Sequence, residues 1–124
     1  MPTCPYCGSE CVIRDSECIY GRSYGMALVC SRYPQCDSYV GCHRGTSRPL
    51  GTPANATLRA ARNEAHRLFD PMWKQRGMKR KEAYAWLAAK LGIPFDACHI
   101  AMFDLEACRR VVEVCKIAVK EPVA

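Results

Sequence analysis

The chain has no stretch approaching the roughly 20 apolar residues needed to cross a bilayer, which excludes a helical membrane span. Its start, Met1-Pro2-Thr3-Cys4, has neither the basic nor the apolar region of a secretory leader. The expected compartment is therefore the reducing cytoplasm. Length is also in short supply: 124 residues fit one domain or two small lobes, because an ordinary domain runs to about 100 to 150 residues. A large active-site cavity is not expected in so small a chain. Acidic groups are few, with 12 Asp and Glu against 18 Lys and Arg and a net charge of +6.

That excess of positive charge is local. Arg59, Arg62, Arg67, Lys74, Arg76, Lys79, Arg80 and Lys81 are opposed within the same stretch by Glu64 and Asp70. A basic stretch of this kind suits a polyanion, although arginine-rich helical faces are often merely solvated.

What the chain has in abundance is cysteine, ten residues in all. Such density marks either a secreted disulfide framework or metal binding, and the absence of a leader favours metal. Cys4-Pro5-Tyr6-Cys7-Gly8 and Cys30-Ser31-Arg32-Tyr33-Pro34-Gln35-Cys36 read as the two halves of a tetrahedral zinc site. In the first half, Cys-x2-Cys lets one tight turn present two sulfurs while backbone amides point at them. Gly8 follows where that turn needs a permissive residue. The expected ligands are Cys4, Cys7, Cys30 and Cys36, with Zn2+ as the cofactor. Cys42 is the main rival, because Cys36-x5-Cys42 repeats the spacing of Cys30-x5-Cys36. Cys42 and His43, as neighbours on a strand, point to opposite faces and do not readily share one ion. Four thiolates on one zinc carry a net charge of minus two, so the loaded protein is less basic than its composition.

Between the pairs lie Cys11-Val12-Ile13, Cys18-Ile19-Tyr20 and Met26-Ala27-Leu28-Val29, then Ser38-Tyr39-Val40. All have strand composition, and the intervening polar and glycine-rich segments predict a small antiparallel meander. About forty residues bury too little apolar surface to fold alone, so the unit depends on its metal.

Gly41 to Pro53 is rich in Gly and Pro and reads as a connector. Thr52 as cap and Pro53 at the first position predict a helix to about Phe69, stopped before Pro71. Ala54, Leu58, Ala61, Ala65, Leu68 and Phe69 form its apolar stripe. A second helix is expected from about Lys79 to Leu91, closed by Gly92 and burying Ala83, Tyr84, Leu87 and Leu91. A third begins after Asp104, with Cys108, Val111, Val112, Cys115 and Val119 on its inner face. Cys108 and Cys115 are then core residues. The expected class is α+β: a small antiparallel zinc ribbon over 1–42, a connector over 43–52 and a three-helix region over 53–124.

Both cysteine knuckles resemble, residue for residue, the C-P-x-C-G and C-S-x-Y-P-x-C pattern of the zinc ribbons at the C-terminus of bacterial type I topoisomerases. That resemblance covers about a third of the chain and implies single-stranded DNA binding through basic and aromatic side chains. It marks Tyr20, Tyr24, Arg32 and Tyr33 as candidate contacts, alongside Tyr6, and the basic helix adds Arg59, Arg62 and Arg67. The opposing reading packs the tyrosines into the ribbon core.

A second resemblance runs along most of the chain. It rests on Tyr39-Val40-Gly41-Cys42-His43, Pro49-Leu50-Gly51-Thr52, Ala65-His66-Arg67-Leu68-Phe69-Asp70-Pro71-Met72-Trp73, Ala83-Tyr84-Ala85-Trp86-Leu87-Ala88 and Cys98-His99-Ile100-Ala101-Met102-Phe103-Asp104. These strings resemble a family of small phage and prophage proteins with zinc-finger-containing domains. The resemblance implies the fold and a host-cytoplasm setting rather than a mechanism.

His43, His66, Asp70 and His99 are the residues from which a metal-dependent nuclease would have to be built. His66 and Asp70, four residues apart, instead suit a simple helical pair. The expected protein is therefore not an enzyme. Its partner is nucleic acid, single-stranded DNA above all, or alternatively a host or phage protein, the chain then acting as a protein-binding module that modulates a host or phage nucleic-acid enzyme. No membrane and no small-molecule substrate is expected.

Overall fold

The computed structural model describes residues 2–120, with side chains through residue 118. It divides into two units, Met1–Arg59 and Ala60–Ala124, the division falling one turn into a helix. The expected stripe position Val119 lies outside the described side chains.

The first unit is built on three strands, β1 (Cys11–Asp15), β2 (Met26–Cys30) and β3 (Tyr39–Gly41), in the order β1-β2-β3. All pairs are antiparallel, with Cys11 opposite Cys30 and Leu28 opposite both Ile13 and Val40. This register puts Leu28 and Val40 into one cluster with Cys4, Cys11 and Cys30, against which Ile13 and Cys36 pack. The α+β class and three of the four expected strands are as the composition predicts.

One expected strand is instead a helical turn, α1 (Glu17–Tyr20). The Asp15 carboxylate accepts the Glu17 amide at 2.9 Å, and the Ser16 carbonyl accepts the Ile19 and Tyr20 amides at 2.9 and 3.0 Å. Gly21 then closes the turn in the left-handed region at φ 78°. A short polar side chain offering a local bond has outweighed the strand preference of Cys-Ile-Tyr.

The segment read as a connector folds back on the sheet. The Leu50 amide donates to the Gly41 carbonyl and the His43 amide to the Arg48 carbonyl, each at 2.8 Å, and Cys42 bridges Pro49. Farther on, Ala54 and Tyr39 exchange amide bonds at 3.0 and 3.1 Å. The compact unit that contains the ribbon runs on to Arg59.

Three longer helices follow, α2 (Ala56–Lys74), α3 (Arg80–Leu91) and α4 (Leu105–Lys120). The α2 cap is Asn55, whose side-chain oxygen accepts the Leu58 amide at 3.0 Å, not Thr52. Nor does α2 stop before Pro71: the proline sits inside its final stretch. A proline there forfeits one backbone bond and crowds the preceding turn. The Gln75 amide nevertheless reaches the Pro71 carbonyl at 3.0 Å and the Met78 amide reaches the Trp73 carbonyl at 3.0 Å. Gly77, at φ 67°, permits that closing turn.

Within the second unit the buried residues of α2 are Arg62, Ala65 and Phe69. The Phe69 ring meets Tyr84 of α3 edge-on with centroids 5.0 Å apart. From α3 come Ala83, Tyr84, Leu87, Ala88 and Leu91; from α4, Cys108, Val111 and Cys115. The α4 cap is Asp104, whose carboxylate accepts the Ala107 amide at 2.9 Å. Two short 3₁₀ turns, Phe95–Ala97 and Ile100–Met102, link α3 to α4 and bury Cys98, Ile100 and Phe103.

Candidate metal centre and aromatic face

The first knuckle is a tight loop. The Cys4 amide donates to the Ser9 carbonyl at 2.7 Å and the Gly8 amide to the Cys4 carbonyl at 3.0 Å, with Gly8 at φ 77°. The second runs out of β2, where the Tyr33 amide donates to the Cys30 carbonyl at 2.9 Å and the Cys36 amide to the Arg32 carbonyl at 3.1 Å. Two chain-local turns thus bring four sulfurs to one point.

Cys4, Cys7, Cys30 and Cys36 present sulfurs that all lie within 4.8 Å of one another. Cys4 and Cys36 are 3.6 Å apart, and Cys7 and Cys30 are 3.5 Å apart. A tetrahedral zinc with Zn–S bonds of about 2.3 Å separates its sulfurs by about 3.8 Å. All ten cysteines are free thiols, and Cys42 stands outside the cluster, its amide joined to the Met26 carbonyl at 3.1 Å.

The surroundings fit a thiolate site. The Tyr6 amide points at the Cys4 sulfur from 3.5 Å. The Ser38 hydroxyl, fully buried, has no hydrogen-bond partner among the described residues, and it acts on the Cys4 sulfur to favour ionisation. A buried hydroxyl of this kind is accounted for once the sulfur beside it is an acceptor thiolate.

The thiols perturb one another. Burial raises Cys4, but the Tyr6 and Cys7 amides and the Ser38 hydroxyl outweigh it and leave the thiol below its usual value. The Ser9 side chain and amide bring Cys7 down to about 6. Cys36 is also stabilised as a thiolate by the Ser38 amide, yet burial and the sulfurs of Cys4, Cys7 and Cys30 prevail and push it up to about 12. Four sulfurs so close cannot all ionise without a cation, and a divalent ion removes that conflict. Cys11 lies against the site, and burial, with the charges of Cys4 and Cys7, raises it to about 11. It is a neutral wall residue and not a ligand.

The tyrosines of the first unit are not core residues. Tyr24, Tyr20, Tyr39 and Tyr33 form a chain of edge-to-face rings, with centroid separations of 5.6, 6.2 and 6.2 Å. Tyr20 and Tyr24 are 54 and 69% exposed. The Tyr39 hydroxyl, with burial behind it, raises Tyr20 to about 12, so it stays neutral. Arg59 lies over the Tyr39 ring at 3.9 Å and Arg22 over Tyr24 at 5.4 Å. Tyr39 and Arg22 were not singled out by sequence, although alternation along β3 places Tyr39 on a defined face.

The basic-helix candidates separate. Arg59 donates to the Asp37 and Ala54 carbonyls, each at 2.6 Å, and pairs with the Asp37 carboxylate at 3.4 Å. It ties the approach to β3 to the start of α2, whose Ala56 amide also donates to Asp37 at 3.2 Å. Arg62 is only 7% exposed and donates to the Phe103 carbonyl at 3.1 Å. Buried in this way, it leaves the set of phosphate contacts. Arg67 is exposed and paired with Glu64, and Arg32 is exposed on the second knuckle.

His66 and Asp70 form the helical pair, 3.4 Å apart, and Trp73 donates to the same carboxylate at 3.4 Å. His99 lines a different depression of the second unit from His66 and Asp70. Among the described residues, the four-cysteine group is the sole cluster with metal-ligand geometry.

The sheet, its two knuckles and the sulfur cluster together define a zinc-binding ribbon fused to a helical unit. The zinc-finger-containing domain family matches residues 1–118, and the chain belongs to that family. No curated protein and no solved structure matches it. Among the described residues, no helix is long and apolar enough to cross a membrane.

Proposed function

We propose that the protein is a zinc-stabilised nucleic-acid-binding accessory module, without catalytic activity of its own, that engages single-stranded DNA through the aromatic face of its ribbon. The observation that carries this reading is the Tyr24-Tyr20-Tyr39-Tyr33 strip with Arg22 and Arg59 laid on its rings. Unpaired bases stack on exposed aromatic rings whatever their sequence, while exposed arginines such as Arg22 neutralise the phosphates between them and the Arg59 clamp holds the Tyr39 ring in place. The likeness of both knuckles to topoisomerase ribbons, and of the longer strings to phage and prophage proteins, supports the same reading and a role in a host cytoplasm.

The test is fluorescence anisotropy of a labelled oligo-dT with the zinc-loaded protein. Affinity should fall steeply with salt. Replacing Tyr20 and Tyr24 together by Ala should weaken binding by about tenfold or more, since a stacked base contributes about 1 to 3 kcal/mol. Binding indifferent to both salt and these substitutions would refute the proposal.

A protein partner is the second reading, favoured by large apolar side chains left exposed on the helical unit, Met102 and Ile117. Nuclease treatment before capture separates the two: a partner that persists favours protein.

A further inference from the structure

The start of α3 carries the wrong charge for a helix N-terminus. Lys79 is the N-cap and offers no side-chain bond, Arg80 and Lys81 follow, and Glu82 is the one acid of the first turn. The first intrahelical bond is made by the Ala83 amide to the Lys79 carbonyl. The amides of Arg80, Lys81 and Glu82 therefore precede the helical ladder, and the positive end of the helix dipole coincides with three cations. Cations placed there are unfavourable, an arrangement that an anion reverses.

A cavity lies beside this turn. It has a volume of about 350 Å³ and is lined by Arg80, Lys81, Tyr84, Phe95, Cys98 and His99. That is within the range of small-ligand sites, about 300 to 1,000 Å³. Its lining sorts by chemistry into two parts. Arg80, Lys81 and His99 supply donors for an anion, and the Arg80 guanidinium is held in place over the Tyr84 ring at 5.1 Å. Phe95, 43% exposed, supplies an uncovered aromatic wall. The Cys98 thiol, buried to 1% exposure, lines the cavity with no hydrogen-bond partner among the described residues. Burial raises its pKa, so it stays a neutral, weak donor.

We propose that this cavity is a binding site for a phosphate monoester carried on a flat ring, that is, a 5′-phosphorylated nucleoside, with the phosphate on Arg80, Lys81 and His99 and the ring against Phe95. Two sources share this chemistry, a free nucleotide and the 5′-phosphorylated end of a strand. The site lies wholly in the second unit and is independent of the tyrosine strip.

Calorimetric titration of the zinc-loaded protein with adenosine 5′-monophosphate tests it, with adenosine as the control and with dT oligonucleotides bearing a 5′-phosphate or a 5′-hydroxyl. The nucleotide should bind at least about tenfold more tightly than the nucleoside, as expected for one or two charge-assisted hydrogen bonds. Arg80→Gln with Lys81→Gln should abolish that preference while zinc content and the circular dichroism spectrum stay unchanged. Tyr20→Ala with Tyr24→Ala should leave it intact, which separates this site from the ribbon's. A 5′-phosphate preference among the oligonucleotides identifies the source as a strand end, and binding of the free monophosphate alone identifies a nucleotide. Equal affinity for nucleotide and nucleoside, no binding of either phosphorylated probe, or a preference that survives in the double variant overturns the proposal. Phe95→Ala, at an exposed position that does not threaten folding, supplies a second check: it should weaken the nucleotide but not inorganic phosphate.

Discussion

The two units of this protein are held together by different physics. In the ribbon one buried cluster is Cys4, Cys11, Leu28, Cys30 and Val40, three of its five members being cysteines, and the other buried apolar residues of that unit are the small Ala27, Val29 and Ala54. In the helical unit Phe69, Leu87, Ile100 and Val111 are all fully buried, with Cys98, Cys108 and Cys115 as small apolar fillers among them. Cysteine is thus a ligand in one unit and a hydrophobe in the other, and burial separates the roles less well than geometry does. Cys108 and Cys115 lie two turns apart on one helix face, whereas the ligands come from two turns about twenty residues apart in sequence. A unit with so thin an apolar core depends on its metal, while the other stands on packing.

Metal removal should give the largest effect. Structural zinc contributes about 10 to 16 kcal/mol in finger-like units, so chelation should unfold the sheet and make Cys4, Cys11 and Cys30 reactive to thiol reagents. The amides of α3 and α4 should keep their hydrogen-exchange protection. Loss of both units together would break the comparison. Acidification should act in the same direction, because protons compete with the metal for four thiolates; bound zinc measured against pH should decline as pH falls.

Next in size is the helical core. Phe69→Ala should destabilise the second unit by about 3 to 5 kcal/mol, read as a lower denaturant midpoint of the helical signal with zinc content unchanged. A fall in zinc stoichiometry would show that the units are not separable in this way.

Arg62 and Arg67, five residues apart on α2, sharpen the contrast between buried and exposed charge. Arg62→Met should cost about 1 to 3 kcal/mol by orphaning the Phe103 carbonyl. Arg67→Ala, which breaks a solvent-facing pair with Glu64, should leave Tm unchanged. Equal shifts in a thermal melt would contradict the assignment of Arg62 to the interior. Smallest of all, Asp104→Ala should lower stability by roughly 1 kcal/mol through loss of the α4 cap, measured by the same denaturant titration.

Much of this was legible in the residues. Cys-x2-Cys-Gly and the second knuckle are local turns whose spacing alone brings paired sulfurs together. Gly92, at φ 71°, closes α3 where a permissive residue was needed, and Asp104 caps α4 as its chemistry suggests. Misreadings occurred where two local preferences competed. Asp15 and Gly21 turned Cys18-Ile19-Tyr20 into a helical turn, and continuing backbone bonds carried α2 past Pro71. The basic run over residues 59–81 looked uniform, but burial divided it into the Arg59 clamp, the interior Arg62 and the solvated Arg67. Tyr39 read only as a strand and family-string residue, because its place in the aromatic strip depends on the rings around it.

The sequence by itself pointed to zinc, to Cys4, Cys7, Cys30 and Cys36 with Cys42 as the rival ligand, and to the order of sheet and helices, because turns, caps and periodic stripes are written in residues a few positions apart; the structure gathers the first four sulfurs and leaves Cys42 outside. Only the tertiary structure decided which arginines meet solvent, that four tyrosines form one strip, and that the start of α3 borders a cavity. Those facts depend on burial and on contacts between residues distant in the chain, which no local spacing encodes.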